Sequence, residues 1–388
     1  MKPIYLDNSA TTRICDVAKE KMMQAMECYG NPSSLHLVGQ SAQRMLEEAR
    51  RAVALTLGVR RMPEQGRLVF TSCGSEADQL AIFGTAYAKE RRRGGRIITT
   101  DSEHPAVENA LRALETQGFE VLRISTRGGE LNFEQYAAAL SEKTFLVTMM
   151  MVNNETGAVY DLPRAFRMAK EKNPEIVTHT DAVQGYLKHR FTPSAIFADL
   201  VSLSGHKIGA PKGIGALYLS AAALRRKDVA AVLRGGGQEA GFRSGTENMV
   251  GIAGFGAAAT AGYAHLEDDI AQMLALRTQA ETLLQKLPVR LHLPTGERAP
   301  HILNFALPEI RSETMVHALS ARGICLSGGS ACSSHDKKLS RALLAFGVPE
   351  REVECSVRIS LSPENTEEEI RSFADALEEE IGRLVRIH

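Results

Sequence analysis

Short strand-like runs alternate with helical runs along the middle of this chain, and this alternation restricts the possible folds more than any other feature of the sequence. Runs of strand character occur at residues 68–70, 96–100, 121–125, 144–152, 176–181 and 200–204. The stretches VENALRALETQ and LPRAFRMAKEK, which separate such runs, have the apolar spacing of amphipathic helices. Strands that alternate with helices form a mostly parallel sheet with helices on both faces. The sequence therefore predicts an α/β fold.

A second unit is predicted after this region. Helical spacing predicts one helix over residues 36–57, which ends at Gly58, and one long helical stretch over residues 247–286. The long stretch would connect the sheet to a unit that contains the strand-like runs HILNFAL and SVRISLS. That unit would also contain the amphipathic pattern TEEEIRSFADALEEEIGRLV.

The composition excludes several classes of protein. The 388 residues are 44% hydrophobic and 24% charged, as in a soluble globular protein with a substantial core. The formal net charge is zero, so nothing in the total favours nucleic acid or a membrane surface as a partner. The basic run AKERRRGGR is interpreted as a solvated helix end, and no segment has the ~18 apolar residues of a membrane span. Six cysteines without a CxxC pair or a zinc-ligand spacing indicate a reducing compartment, so we expect a cytoplasmic protein without a resident metal.

A polar segment after the first of these strands suits a phosphate group. TSCGSEAD follows the run LVF, so Gly74 and Ser75 would lie at the start of a helix. Backbone N–H groups and the Ser75 hydroxyl can hold an anion there. The segment lacks the lysine of a nucleotide-binding P-loop. An ordinary helix N-cap explains the same residues equally well.

Two more polar clusters follow strands, where open parallel sheets bind ligands. Asp181 ends one strand and is followed closely by Gln184. Its carboxylate could form a salt bridge to a protonated ring nitrogen, or it could belong to an ordinary turn at the strand end. Ser204, His206 and Lys207 follow the next strand. A lysine is usually a solvated charge, but a desolvated amine among small residues is a candidate for a Schiff base.

His104 stands directly before Pro105, which can begin a helix. A single loop histidine is more often structural than catalytic. The glycine-rich LRGGGQEA is not followed by an amphipathic helix, so a nicotinamide site is not predicted. Together, a phosphate cradle, a carboxylate for a ring nitrogen, a histidine to stack on a ring and a lysine amine describe a site for pyridoxal phosphate.

Motifs in a fixed order run from residue 5 to residue 370. They are YLDNSATT, YGNPSSLHLVGQSA, FTSCGSEADQLAI, SEHPAVEN, VNNETGAV, DAVQG, SGHKIGAPKGIGALY, GGGQEAGFRSGTEN, GSACSS and VRISLSPENTEEEI. In these motifs the chain resembles the cysteine desulfurases of the class V aminotransferase group over nearly its whole length. The resemblance implies fold type I of the pyridoxal phosphate-dependent transferases, with a large domain built on a seven-stranded, mostly parallel sheet over residues 15–260. A smaller α+β domain would comprise residues 1–14 and 261–388.

The resemblance also implies roles for individual residues. Lys207 would bind the aldehyde of the cofactor as an imine, and His104 would stack on the ring and move protons. The other cofactor contacts would come from Asp181 at the ring nitrogen, Asn154 and Gln184 near the ring hydroxyl, and Gly74, Ser75, Ser204 and His206 at the phosphate. Asn154 and Arg358 would bind the substrate, with the Arg358 fork on its carboxylate. Thr246 would complete the phosphate site of the neighbouring subunit, so a homodimer is expected.

Cys332 lies in GGSACSSHD, a run of small residues that could not pack an apolar core around it. On its own, that setting favours a chance surface cysteine. The resemblance instead makes Cys332 the acceptor of sulfur from L-cysteine, in a loop of the longer-loop subgroup. That subgroup hands sulfur to iron–sulfur scaffolds and tRNA-thiolating proteins, and Cys332 could ligate an iron–sulfur cluster transiently. His335 and Asp336 stand where the family has small residues, so the identity of the protein that receives the sulfur stays open.

These features predict a dimeric, cytoplasmic enzyme that converts L-cysteine to L-alanine and an enzyme persulfide. Two alternatives stay open at this point. A selenocysteine lyase of the same fold would use the same cofactor residues, with Cys332 secondary. A catalytically idle sulfur carrier would have kept the fold alone, but the intact set of Lys207, Asp181 and His104 argues against it.

Overall fold

The structure is a computed structural model, and it describes residues 3–307, 309–328 and 339–384. Its strands are β1 (Ile4–Tyr5), β2 (Gly66–Thr71), β3 (Arg96–Thr100), β4 (Glu120–Ile124), β5 (Thr144–Thr148), β6 (Val177–Asp181), β7 (Leu200–Ser204), β8 (Gly215–Ser220), β9 (Arg290–Leu291), β10 (Ile302–Ala306), β11 (Ile324–Cys325), β12 (Ser327–Gly328) and β13 (Ser356–Ser360). Its α-helices are α1 (Asp16–Glu27), α2 (Leu37–Thr56), α3 (Gly74–Tyr87), α4 (Pro105–Glu115), α5 (Phe133–Ala139), α6 (Leu162–Lys172), α7 (Ala221–Arg226), α8 (Met249–Ala264), α9 (Leu266–Leu284), α10 (Ser312–Ala321), α11 (Arg341–Phe346), α12 (Glu350–Val353) and α13 (Glu367–Arg383).

A seven-stranded sheet forms the centre of the larger unit, in the order β2-β8-β7-β6-β5-β3-β4 among the described residues. Neighbours from β7 to β4 are parallel, whereas β8 runs antiparallel to both β7 and β2. The register places Asp181 of β6 beside Ser202 of β7. This topology confirms the predicted α/β fold with its mostly parallel sheet. Strand β8, with the sequence GALYLS, has no counterpart among the predicted strands.

Both faces of this sheet are covered, because successive side chains of a strand point to opposite sides. Val69 of β2 belongs to a buried cluster with Leu111 of α4. The next residue, Phe70, belongs to the cluster on the other face with Val53 of α2 and Phe255 of α8. The rings of Phe70 and Phe255 meet edge to face, with centroids 6.4 Å apart. Layers of helices on both sides explain why the strands are nearly continuous apolar runs.

A smaller antiparallel sheet, β12-β13-β10-β9, forms the second unit. Its core gathers Phe305 of β10, Leu319 of α10 and Phe373 of α13. Leu6 from the N-terminal segment lies in the same core, and β1 pairs in parallel with β11. The N-terminal strand therefore packs with the C-terminal part of the chain. The boundaries of the two domains, 15–260 and the rest, stay a prediction.

The long helix predicted over residues 247–286 is wrong in one respect, because the chain forms two helices there. Helices α8 and α9 meet at His265, whose backbone leaves the helical region at φ −113° and ψ 11°. Three acidic residues, Glu267, Asp268 and Asp269, occupy the first turn of α9. Negative charge there stabilises a helix N-terminus, so this turn favours a new helix over a continued one. Among the described residues, none of the helices combines the length and the apolar character needed to cross a membrane.

Candidate active site

One cavity of about 410 Å³ brings together most of the residues that the sequence patterns single out. Its lining includes Gly74, Ser75, His104, Asn154, Asp181, Gln184, Ser204, His206, Lys207 and Arg358. Most of these residues come from the ends of β2, β3, β6 and β7 or from the segments that follow them. The carboxyl ends of parallel strands meet at one edge of a sheet, where ligands bind. Arg358 comes from β13, so the cavity lies between the two units.

The start of α3 and the end of β7 form a cradle with little room for side chains. A Cβ atom on Gly74 would lie 2.9 Å from Val183 Cγ2 and 3.2 Å from Ser204 Cβ. Ser204 Oγ is buried and has no hydrogen-bond partner among the described residues. A buried hydroxyl without a partner costs free energy, and a ligand that accepts from Ser204 would remove that cost. The first N–H groups of α3 lack helical partners, which makes this end of the cavity suitable for an anion.

His104 is held in one orientation by the helix that it caps. Its Nδ1 accepts from Ala106 N at 3.2 Å, with Pro105 in the first turn of α4. Loss of solvent around the ring lowers the pKa of His104. The negative charge of Asp181 opposes this effect, and the positive charge of Lys207 adds to it. The ring is therefore neutral near pH 7 and carries its proton on Nε2.

Asp181 lies at the end of β6, where Val183 N donates to its Oδ1 at 2.9 Å. Burial raises the pKa of Asp181, and the charges of His104 and Lys207 counteract that rise. Among the described residues, the hydrogen-bond partner of this carboxylate is the neutral backbone N–H of Val183. A protonated ring nitrogen would supply a cation.

The N-terminal segment holds the Lys207 amine. Lys207 Nζ donates to Ser9 O at 2.5 Å and to Ala10 O at 2.8 Å. A second amine, which is buried, lies close to it, since Lys188 Nζ donates to the carbonyl of Lys207 at 2.7 Å. Burial, together with the charge of Lys207, lowers the pKa of Lys188 to about 7. Two lysines thus lie close together, but only Lys207 lines this cavity.

The Arg358 guanidinium is fixed at the other side of the cavity. Its Nη1 donates to Asn154 O at 2.8 Å, and its Nη2 donates to Asp7 Oδ1 at 3.0 Å and to Ser327 Oγ at 3.2 Å. Its Nε is buried without a partner among the described residues. This unpaired donor makes Arg358 ready to bind a carboxylate.

Residues 4–373 match the aminotransferase class-V family. The chain belongs to this family. The cysteine desulfurase of Trichormus azollae is 39% identical over 99% of this chain and 94% of its own length. The cysteine desulfurase NifS of Azotobacter vinelandii is 37% identical over 95% of this chain and 90% of its own. These relatives confirm the resemblance to cysteine desulfurases.

Solved structures of similar proteins have the same fold. A NifS-like protein superposes with a TM-score of 0.90 at 35% identity, covering 98% of this chain and all of its own. The protein SspA, solved in complex with cysteine, gives a TM-score of 0.79 at 32% identity over 93% of this chain and 99% of its own. This member of the aminotransferase class-V family is therefore a fold type I enzyme.

Pyridoxal phosphate is the cofactor of the family, and the residues of this chain fit it. The unpartnered Ser204 hydroxyl and the Gly74 cradle suit the phosphate. The buried Asp181 carboxylate suits a protonated pyridine nitrogen, and the Lys207 amine in the same cavity suits the aldehyde. Among the described residues, no group of three or more His, Cys, Asp or Glu side chains could hold a metal ion.

The other cofactor residues predicted from the sequence also line this cavity. Gln184 Nε2 donates to Ser9 O at 2.9 Å, and its Oε1 lies 3.3 Å from His301 Nε2. His206 Nδ1 lies 3.2 Å from Thr11 Oγ1, and burial lowers the pKa of His206 to about 4, so the ring is neutral near pH 7. Ser75 and Asn154 complete the set. Their individual roles toward cofactor and substrate stay predictions.

Two predicted site residues do not line this cavity in the structure. Thr246 lines a separate cavity of about 150 Å³, together with Ser72, Arg243 and Asn248. Cys332 lies outside the described residues. Ser327, on the last described strand before it, does line the large cavity.

Two buried acids at or near the cavity, Glu103 and Asp78, have no counterpart in the sequence analysis. Glu103 accepts from Thr100 Oγ1 at 2.7 Å and from Met150 N at 2.9 Å, and burial raises its pKa to about 8. Asp78 lines the cavity, and its pKa is raised by burial and then by the charge of Asp181. The Glu103 carboxyl group is therefore mostly protonated near pH 7, and burial favours the neutral form of Asp78 as well. Their positions beside the motifs SEHP and SEAD are the only sequence signal for them.

Proposed function

We propose that this class-V aminotransferase takes the sulfur from L-cysteine, releases L-alanine and holds the sulfur as a persulfide on Cys332. The observation that carries the proposal is a single cavity with three features: the phosphate cradle at Gly74 and Ser204, the Lys207 amine, and the unpaired Nε donor of Arg358. Together they match a cofactor phosphate, a cofactor aldehyde and the carboxylate of an amino acid.

Bound pyridoxal phosphate would supply an electron sink joined to the substrate Cα. Asp181 would keep the ring nitrogen protonated. Arg358 would bind the substrate carboxylate with its unpaired Nε as a donor, and the Lys207 amine would remove the proton from Cα. The neutral His104 would donate a proton or a hydrogen bond through Nε2, because its Nδ1 already accepts a hydrogen bond from the backbone of α4.

Cys332 would be the nucleophile that accepts the sulfur. Its thiolate would attack the sulfur of L-cysteine, a new S–S bond would form and the Cβ–S bond would break. Cβ would take up a proton, so the products are L-alanine and the Cys332 persulfide. Only the thiolate is nucleophilic enough for this attack. The electron pair of the broken Cβ–S bond stays on Cβ, so reduction of Cβ balances oxidation of the sulfur and no external oxidant is needed.

The enzyme would act as a homodimer. Thr246 lies in a cavity separate from that of its own chain's Lys207, which supports a contribution to a second copy instead. Large apolar side chains near the start of α2 are highly exposed, with Tyr29 at 84%, Leu35 at 92% and Leu37 at 80%. Exposed apolar residues that cluster in this way mark interaction surfaces, and the partner proposed here is a second copy of the chain.

We further propose that the persulfide is passed to an acceptor protein in the cytoplasm, such as an iron–sulfur scaffold or a tRNA-thiolating protein. The described cysteines are all free thiols, which supports a reducing compartment.

Incubation of the purified, cofactor-loaded protein with L-cysteine tests this function. L-alanine and protein-bound sulfur are expected to form together, and L-selenocysteine in a parallel reaction separates a desulfurase from a selenocysteine lyase. Turnover of L-selenocysteine without turnover of L-cysteine would contradict the proposal. A protein that binds no pyridoxal phosphate would favour the idle sulfur carrier.

A further inference from the structure

Asp7 is a charged residue of the cavity that none of the proposed steps uses. Its Oδ1 accepts from Arg358 Nη2 at 3.0 Å and from Ser327 Oγ at 2.6 Å. The backbone around Asp7 is tied to β13, the strand that carries Arg358, since Asp7 bridges to Ser360 and Ser360 N donates to Leu6 O at 2.7 Å. The carboxylate is therefore held against the guanidinium before any substrate enters.

This contact pairs the positive charge of Arg358 with the negative charge of Asp7. Asn154 O and Asp7 accept from the two terminal nitrogens of Arg358, while Nε has no partner among the described residues. One incoming carboxylate can use that donor. Among the described residues of the cavity lining, the only other lysine or arginine is Lys207, which the cofactor would engage.

A second negative charge on the substrate would therefore meet no balancing cation among the described residues of the cavity lining. The histidines of the cavity lining, His104 and His206, have lowered pKa values and add no positive charge near pH 7. Asp7 and Asp181 would both repel such a group. Repulsion between unit charges about 7 Å apart, at an effective dielectric constant near 30, changes an equilibrium constant roughly tenfold.

We propose that Asp7 is a specificity-determining residue, which positions Arg358 for one carboxylate and disfavours amino acids with an anionic side chain. The inference rests on the proposed function in taking an α-amino acid as the ligand. It extends that function by defining the charge of the side chain that the cavity accepts.

Equilibrium binding of L-asparagine and L-aspartate to the cofactor-loaded enzyme tests the proposal, because these amino acids have nearly the same shape and differ in side-chain charge. Binding is measured from the change in cofactor absorbance and repeated by calorimetry. In the wild type, L-aspartate should bind at least tenfold more weakly than L-asparagine. In Asp7→Asn the ratio of the two Kd values should fall about tenfold, whereas Asp7→Glu, which keeps the charge, should preserve the wild-type ratio.

Ser327→Ala serves as the matched control, since it removes a neutral partner of the same Asp7 oxygen. It should weaken both ligands by the same factor. Equal binding of the two ligands by the wild type would overturn the proposal without any variant, and so would an unchanged ratio in Asp7→Asn. These readouts do not involve sulfur, so a protein that makes no L-alanine from L-cysteine would refute the proposed function and leave the binding ratio to decide the role of Asp7.

Discussion

Replacement of Ser204 by alanine should have opposite effects on the protein without and with its cofactor. The Ser204 hydroxyl is buried and has no partner in the described structure. An unsatisfied buried polar group costs about 1–3 kcal/mol, so its removal from the cofactor-free protein should leave the free energy of unfolding unchanged or raise it by about 1 kcal/mol. We attribute this hydroxyl to phosphate binding. Its loss should therefore weaken the cofactor-bound state.

The size of that loss follows from the charge of the phosphate. A hydrogen bond to a charged group contributes about 1.5–3 kcal/mol. The Kd for pyridoxal phosphate should therefore rise roughly ten- to a hundred-fold in Ser204→Ala. Fluorescence titration of the cofactor-free protein measures this constant, and thermal or urea unfolding of the same preparation measures stability.

Ser202→Ala is the matched control on the same strand. Ser202 is also fully buried, but its Oγ lies 2.9 Å from His179 Nε2. This variant should destabilise the cofactor-free protein, because it leaves a buried imidazole nitrogen without its partner, and should not remove a phosphate contact. A Ser204→Ala protein that is less stable without cofactor, and that binds pyridoxal phosphate as tightly as the wild type, would refute the assignment of the cradle.

Three further outcomes are expected. Borohydride reduction of the loaded enzyme should attach the cofactor to the peptide that contains Lys207 and not to the one with Lys188, as peptide mass spectrometry can show; labelling of Lys188 would make the assignment wrong. Thr246→Ala should raise the cofactor Kd roughly ten- to a hundred-fold through loss of one charge-assisted bond, and a monomer that binds cofactor normally, by sedimentation and titration, would exclude a shared site. Burial raises the pKa of Glu103 from 4.5 to about 8 in the folded protein. Its contribution to the free energy of unfolding is therefore complete below pH 4.5 and is lost as the pH rises to about 8. The stability of the cofactor-free wild type relative to Glu103→Gln should therefore fall between these pH values, and a difference that stays constant with pH would contradict the burial argument.

The sheet could be predicted from sequence because its central strands are buried on both faces and appear as continuous apolar runs. Strand β8 was missed, since its direction and pairing depend on contacts with β2 and β7 that are distant in the chain. The break at His265 was missed because the helical pattern continues across it. An acidic first turn in α9 is a signal that could have located the break.

Most residues of the cavity lining could be predicted because they follow predicted strands, and the topology then brings these strand ends together. Residues that contact the cavity-lining residues from other parts of the chain cannot be recognised from their position after a strand. Lys188, in the charged stretch LKHRF, resembles a surface lysine but is buried against the carbonyl of Lys207. Asp7 comes from the N-terminus and meets Arg358 only after β13 folds beside it. The position of Thr246 relative to the cavity depends on tertiary structure alone.

The most direct test of the central claim compares wild type with Cys332→Ala in a single turnover with sulfur-labelled L-cysteine. The wild type should form L-alanine and protein-bound sulfur in equal amounts, with the label mapped to Cys332 by mass spectrometry. The variant should keep its yellow cofactor and still bind L-cysteine, yet form almost no L-alanine and carry no label. Formation of L-alanine by Cys332→Ala at the wild-type rate would contradict the account, because the sulfur would then leave without the thiol that is proposed to accept it.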